Sequence, residues 1–247
     1  MRRIPLVAIA GLAVLFVGCG TPGQADYERG VELRKQGDLA GAIVAFSDAI
    51  ASNDEFALAY NDRGELYRSM DRIELALADF DRAIAADDGL PFAYSNRAEI
   101  RLLQGDSPGA VADADRAIAI GPAGTRCPRI AHGPPTRAPC SFAVIAAVHQ
   151  IRGLAYLDLG NTDAALIDFD RAILLNNDVA ETFVARARTY LAKDALTQAL
   201  ADANEAVRLD PALAMAYRTR GEIHDRLGEA DAAQADFAQA EVLTAGG

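Results

Sequence analysis

The 247-residue chain has no tryptophan, its only lysines are Lys35 and Lys193, and aromatic residues make up 6% of it. A pocket for a glycan or small ligand is ordinarily lined with aromatic side chains, so their scarcity weighs against that use. Half of the chain is nevertheless hydrophobic (51%), mostly as Ala, Leu, Ile and Val. Such a composition suits close-packed helices better than a β-rich core. Cations are also in deficit, with 24 Lys and Arg against 35 Asp and Glu and a formal net charge of −11. Phosphate binding needs clustered cations, so nucleic acid is excluded as the main partner. The acidic balance itself reads as a means of staying soluble. No C-x-x-C pair, glycine-rich phosphate loop, spaced acid pair or Ser/His/Asp set is present. No catalytic residue, metal site or cofactor is therefore expected.

What is there begins with a leader. Arg2 and Arg3 precede an apolar run from Ile4 to Val17, fourteen residues that are short for a membrane span but fit the hydrophobic region of a signal peptide. The run ends at Gly18-Cys19-Gly20. This resembles the bacterial lipobox, in which a small residue precedes a Cys that is lipid-modified and becomes the new N-terminus. Phe16 stands where that signal usually has Leu, with Leu15 one place further back. The resemblance implies a lipoprotein signal peptide over residues 1–18 and a lipid anchor on Cys19. More than one acyl chain holds a protein stably at a membrane surface. The mature chain would then be a lipid-anchored protein of a bacterial cell envelope, facing the periplasm or the cell exterior. By the same resemblance, Gly20 rather than an Asp after the Cys favours the outer membrane.

The rest of the chain repeats. Gly30, Gly64 and Ala98 lie 34 residues apart, as do Gly153, Ala187 and Gly221, and each follows an Arg. Twelve residues on comes Ala in every copy (Ala42, Ala76, Ala110, Ala165, Ala199, Ala233), and seven further on Ala again, at Ala49, Ala83, Ala117, Ala172, Ala206 and Ala240. Between these alanines sits Phe46, Phe80, Phe169 or Phe237, replaced by Ala114 and Ala203 in two units. Each unit predicts two apolar-periodic helices around a turn such as Gln36-Gly37-Asp38 or Leu159-Gly160-Asn161. Units end in breakers such as Gly121-Pro122 and Asp210-Pro211.

In-phase small residues, Ala, Phe, Ala and terminal Pro, best seen around Tyr60-Asn61-Asp62-Arg63-Gly64-Glu65-Leu66-Tyr67, resemble the tetratricopeptide repeat family over about 23–124 and 146–247. The resemblance implies an all-α, right-handed superhelical solenoid of six helix-turn-helix repeats. Its concave groove would be lined mostly by the first helix of each unit. Units one to three would occupy residues 19–124 and units four to six residues 146–247. Ile43, Leu77, Val111, Leu166 and Leu200, and likewise Ile50, Ile84, Ile118, Ile173 and Val207, should face the following repeat. Gln234 and Glu241 replace them in the sixth unit, as a terminal cap requires.

Sixteen residues after the repeated Arg comes Asp in five units: Arg63/Asp79, Arg97/Asp113, Arg152/Asp168, Arg186/Asp202 and Arg220/Asp236; Arg29 has Ala45 instead. Arg suits partly buried pairing, so these predict structural ion pairs between the two helices of a unit. Groove residues should instead vary between units. Tyr27, Asn61, Asp62, Glu65, Asn96, Glu99, Gln150, Arg188, Arg218 and Glu222 are the candidates for binding a partner. Co-chaperones of the resembled family hold a C-terminal carboxylate with a Lys/Asn/Arg clamp. Tyr27 and Val31 occupy the matching first-unit places, so that activity is not carried over.

Residues 125–145 break the period with a Pro- and Gly-rich stretch and are expected to loop out, so that unit four stacks directly on unit three. Cys127 and Cys140 bracket this insertion, and in an exported protein such a pair reads as a disulfide. The insertion's Cys and His residues could alternatively form a metal or catalytic site, and the groove could hold a glycan or small ligand. The leading expectation is a non-enzymatic scaffold that binds protein or peptide partners of the cell envelope. Intact-mass measurement of the native protein is expected to show an acylated chain beginning at Cys19; an unmodified chain, or one retaining Met1, would contradict the anchor.

Overall fold

The computed structural model describes residues 21–121 and 139–245, with backbone alone over 139–141. They contain twelve helices and no strand: α1 (Gln24–Lys35), α2 (Leu39–Ser52), α3 (Ala57–Ser69), α4 (Ile73–Ala86), α5 (Pro91–Leu103), α6 (Ser107–Ile120), α7 (Pro139–Asp158), α8 (Thr162–Leu175), α9 (Ala180–Ala192), α10 (Leu196–Leu209), α11 (Ala214–Leu227) and α12 (Ala230–Ala245). Consecutive helices pair into six hairpins, and the second helix of each hairpin packs on the first helix of the next. The result is an all-α solenoid. None of these helices is long and apolar enough to cross a membrane.

Each hairpin turn requires one left-handed residue. Gly37, Gly105, Gly160 and Gly228 supply it at φ between 74 and 81°, while Asp71 and Asp194 adopt it at φ 58°. The residue that follows can cap the second helix: Asp38 accepts from the Gly41 N–H at 2.9 Å, Asp106 from Gly109 at 3.0 Å and Asn161 from Ala164 at 3.3 Å. Between hairpins, Asn53, Asp87, Asn176 and Asp210 end their helices in extended backbone. Their side chains accept the N–H two residues on, turning the chain towards the next unit.

The two helices of a hairpin touch where a small residue meets an aromatic ring. A Cβ on Gly30 would stand 2.6 Å from Phe46, and one on Gly64, Gly153 or Gly221 would stand 2.7 Å from Phe80, Phe169 or Phe237. Those separations are far inside van der Waals contact, so only glycine fits opposite the ring. Where the sequence has Ala98 and Ala187 instead, the facing place holds Ala114 and Ala203, and all four alanines are fully buried. The hairpins therefore use two solutions, Gly against Phe in hairpins one, two, four and six and Ala against Ala in three and five.

The expected Arg–Asp pairs are present, each as a two-pronged fork. Arg63 donates to Asp79 at 2.8 and 2.7 Å, and Arg97, Arg152, Arg186 and Arg220 reach Asp113, Asp168, Asp202 and Asp236 with the same geometry at 2.6–2.8 Å. A further leg was not anticipated. The remaining Nη1 of each Arg reaches back to the second helix of the preceding hairpin, at Ser47, Asp81, Asp115, Asp170 and Asn204. Arg29, which opens the array, pairs with Asp26 and Asp48 instead.

Hairpins three and four are continuous. Val148 on α7 is fully buried among Tyr94, Ala114, Ala117, Ile118 and Ile120 of hairpin three. Ser107 donates to Asp158 at 3.0 Å across the same joint. One boundary moves: the segment expected to loop out to residue 145 is helical from Pro139. Proline is tolerated in a first helical turn because its missing N–H is unpaired there anyway, and the apolar run Phe142 to Val148 then continues the helix against hairpin three. Cys19 and Cys127 lie outside the described residues, as does the Cys140 side chain.

The Gly/Phe and Ala/Ala solutions predict a coupled response at hairpin two. Phe80→Ala should cost about 3–5 kcal/mol by leaving a cavity, and Gly64→Ala about 1–3 kcal/mol by overpacking. The double variant reproduces the Ala/Ala pair, so its loss in chemical denaturation should fall short of the sum by at least about 1 kcal/mol. Additive losses would show that the two places are independent.

Candidate functional site

First helices of successive hairpins touch one another (α3 with α5, α5 with α7, α7 with α9, α9 with α11), whereas no second helices make comparable contact. The first helices consequently line the inner, concave side. Three places on each, spaced four and three residues apart, share that side. The first row reads Tyr27, Asn61, Ser95, Gln150, Val184 and Arg218; the second Val31, Glu65, Glu99, Leu154, Arg188 and Glu222; the third Arg34, Arg68, Leu102, Leu157, Leu191 and Asp225.

In hairpins one to three Tyr27, Asn61, Glu65, Glu99, Arg34 and Arg68 of these rows are engaged by one another or by Asp62 and Asn96 beside them. Tyr27 is buried and its hydroxyl donates to Asp62 at 2.9 Å. Asn61, also buried, donates to the other Asp62 oxygen at 3.2 Å and accepts from Asn96 at 3.1 Å. Asn96 also donates to Glu65 at 3.2 Å. Arg34 closes the network on Glu65 at 3.1 Å, with Asp62 3.8 Å away, and Arg68 repeats the step on Glu99 at 2.8 Å. Burial, followed by the Asp62 charge, pushes the Tyr27 hydroxyl well above its ordinary range. Burial likewise raises Asp62; Arg34 and the hydrogen bonds from Tyr27 and Asn61 oppose this, while Glu65 adds to it. Tyr27, Asn61 and Asp62, expected to face a partner, instead fill their own end of the groove.

The inner face changes character from the end of α5 onward. Leu102, Leu154 and Leu157 replace the charged places, and an open groove of about 520 Å³ runs over α7, α9 and the start of α11. Its lining includes Gln150, Leu154, Leu157, Val184, Leu213 and Met215, with Asp158, Glu181 and Arg188 among them. Arg188, Arg218 and Glu222 are exposed. None of these three makes an ion pair or side-chain hydrogen bond among the described residues. Of the ten candidates, then, six belong to the engaged end and four to the open one. The sequence reading missed Arg34 and Arg68, although Arg34/Glu65 and Arg68/Glu99 share a 31-residue offset that could have revealed them. It also missed the apolar lining, whose signal is the run of leucines in the second and third rows.

His149 fills the aromatic place of the fourth hairpin, buried with Nδ1 2.8 Å from Asp168. Burial works to raise the Asp168 carboxyl, but hydrogen bonds from Arg152 and His149 hold it below the usual carboxylate range. Among the described residues no three His, Cys, Asp or Glu side chains converge as a metal site.

A solenoid of helical hairpins in a 34-residue period, with an inner groove, defines the class of helical repeat proteins. The tetratricopeptide repeat profile matches residues 27–91, 62–125 and 146–179, and the chain belongs to that family. Comparison with curated protein sequences returns no match. Similar solved structures include PilF of Pseudomonas aeruginosa, 15% identical with a TM-score of 0.72, covering 91% of this chain and 93% of that one. PilW, a widely conserved type IV pilus biogenesis factor, is 18% identical with a TM-score of 0.71, covering 89% and 92%. YrrB, a tetratricopeptide repeat protein with an unusual peptide-binding site, is 21% identical with a TM-score of 0.58, covering 81% and 92%. At these identities the likeness shows the fold.

The burial of Asp62 has a measurable sign. Its raised pKa means that the folded chain binds this proton more tightly than the unfolded one. Stability is therefore lost as pH rises from the ordinary carboxylate range through the raised value, and the loss persists at neutral pH. Asp62→Asn keeps an acceptor for Tyr27 and removes the charge. Its melting temperature should match the parent near pH 4 and exceed it at pH 7, at about 2–4 °C per kcal/mol; a constant difference across that range would refute the assignment.

Proposed function

We propose that the protein is a non-enzymatic scaffold of a bacterial cell envelope, tethered by lipid on Cys19, that holds segments of other proteins in its concave groove. The carrying observation is the groove over hairpins four to six, apolar at its floor with charged side chains left unengaged beside it. A surface of that make-up suits extended or helical peptide, which offers apolar side chains to the floor and polar groups to the rim. Membership of the tetratricopeptide repeat family supports protein or peptide as the partner class. The peptide-binding site of YrrB supports it further. The leader ending at Cys19 supports the anchor, and the pilus role of PilW offers one envelope process in which such a scaffold could work.

Site-specific photo-crosslinking in native envelopes tests this reading. Crosslinkers placed at Leu157 and Val184 in the groove should capture discrete protein partners. Crosslinkers at Val44 and Ile167, which are 60% and 63% exposed on second helices, should capture few. Capture confined to the second-helix positions, or none anywhere, would sink it.

A further inference from the structure

We propose that the groove over hairpins four and five seats an apolar peptide segment presenting an Asp or Glu side chain to Arg188. The proposal rests on the scaffold reading above and names the chemistry its partner must carry.

The argument comes from the register of the inner face. From one hairpin to the next, the third-row residue reaches the second-row residue of its successor. Arg34 meets Glu65 at 3.1 Å and Arg68 meets Glu99 at 2.8 Å, so the first two steps are guanidinium–carboxylate pairs. At the third step both members are apolar, Leu102 followed by Leu154. At the fourth, Leu157 holds the guanidinium's place and Arg188 the carboxylate's, so the charge of the second-row residue is reversed and faces a hydrocarbon. Arg188 therefore takes the carboxylate's place in this register, opposite a leucine where the earlier steps have an arginine, and it makes no ion pair or side-chain hydrogen bond among the described residues.

The neighbouring acids do not fill the gap. Asp158 accepts from Ser107 at 3.0 Å, drawing it to the joint with hairpin three. Glu181 lies seven residues earlier on α9, about 10 Å along the helix at 1.5 Å per residue, and forms no ion pair with Arg188. The walls beside the guanidinium are Leu157, Val184 and Met215. Apolar walls exclude water once a segment is seated, and a planar guanidinium favours two parallel hydrogen bonds to a carboxylate. A cationic side chain at this place would meet the guanidinium itself, because Glu181, the free carboxylate of the lining, stands about two turns away along α9.

Labelled twelve-residue peptides rich in Leu and Ala, differing only in a central Glu, Gln or Lys, test the assignment by fluorescence anisotropy on the full chain. The parent should bind the Glu peptide about tenfold more tightly than the Lys peptide, the equivalent of about 1.4 kcal/mol. Arg188→Ala should erase that preference, and Arg188→Glu should invert it with the helical circular dichroism unchanged. A parent that binds all three alike, prefers Lys or binds none overturns the proposal, as does an Arg188→Glu variant that still prefers Glu. The scaffold reading fails separately: crosslinkers at Leu157 and Val184 that capture partners equally well in Arg188→Glu would leave it standing while removing this seat.

Discussion

The distance between the two helices of each hairpin is set by a single contact, and the superhelix follows from it. Opposite each phenylalanine ring there is room for a hydrogen atom and nothing larger, as at Gly64 against Phe80. Where the small residue grows to alanine, the ring is gone, as at Ala98 with Ala114 and Ala187 with Ala203. Close approach of two backbones leaves no tolerance for an added methyl group. Both solutions fill the contact between the paired helices, and hairpins of either kind receive the next one. An inner surface that ran irregularly would not offer a continuous groove.

Much of this architecture was legible in the chain because it recurs. A pattern that returns every 34 residues exposes itself against a background of similar composition, and so the hairpins, their turns and the Arg–Asp forks could be read directly. The backward leg of each arginine could not be read as easily. Its acceptors vary among Ser47, Asp81, Asp115, Asp170 and Asn204, and the insertion shifts the spacing at one of them. The groove was legible only as a list of variable places. Whether such a place is free depends on the reach of a side chain on the neighbouring hairpin. Arg34 occupies Glu65, whereas Leu157 leaves Arg188 alone. Helix N-termini pose a similar limit: Pro139 looked like a breaker, yet it opens α7.

The inner face is thus two surfaces on one scaffold. Its first half spends its polar groups internally, ordering Tyr27, Asn61, Asn96 and Glu65 into a bonded network around the buried Asp62. A bonded network of this kind rigidifies what it joins. The second half keeps apolar floor and unengaged charge together, which is the make-up of a surface awaiting another molecule. A fixed first half gives the second a defined curvature against which a segment can be held.

The arginines that tie each hairpin to its predecessor also differ along the array in how they respond to salt. Each acts as a strut across a joint, and the acceptor decides how strong that strut is. The three inner joints end on carboxylates at Asp81, Asp115 and Asp170, whereas the outermost two end on the neutral Ser47 and Asn204. A guanidinium bond to a carboxylate is the stronger and the more sensitive to ionic strength. The backward leg is accordingly an ion pair only at the three inner joints, and there alone does rising salt screen it.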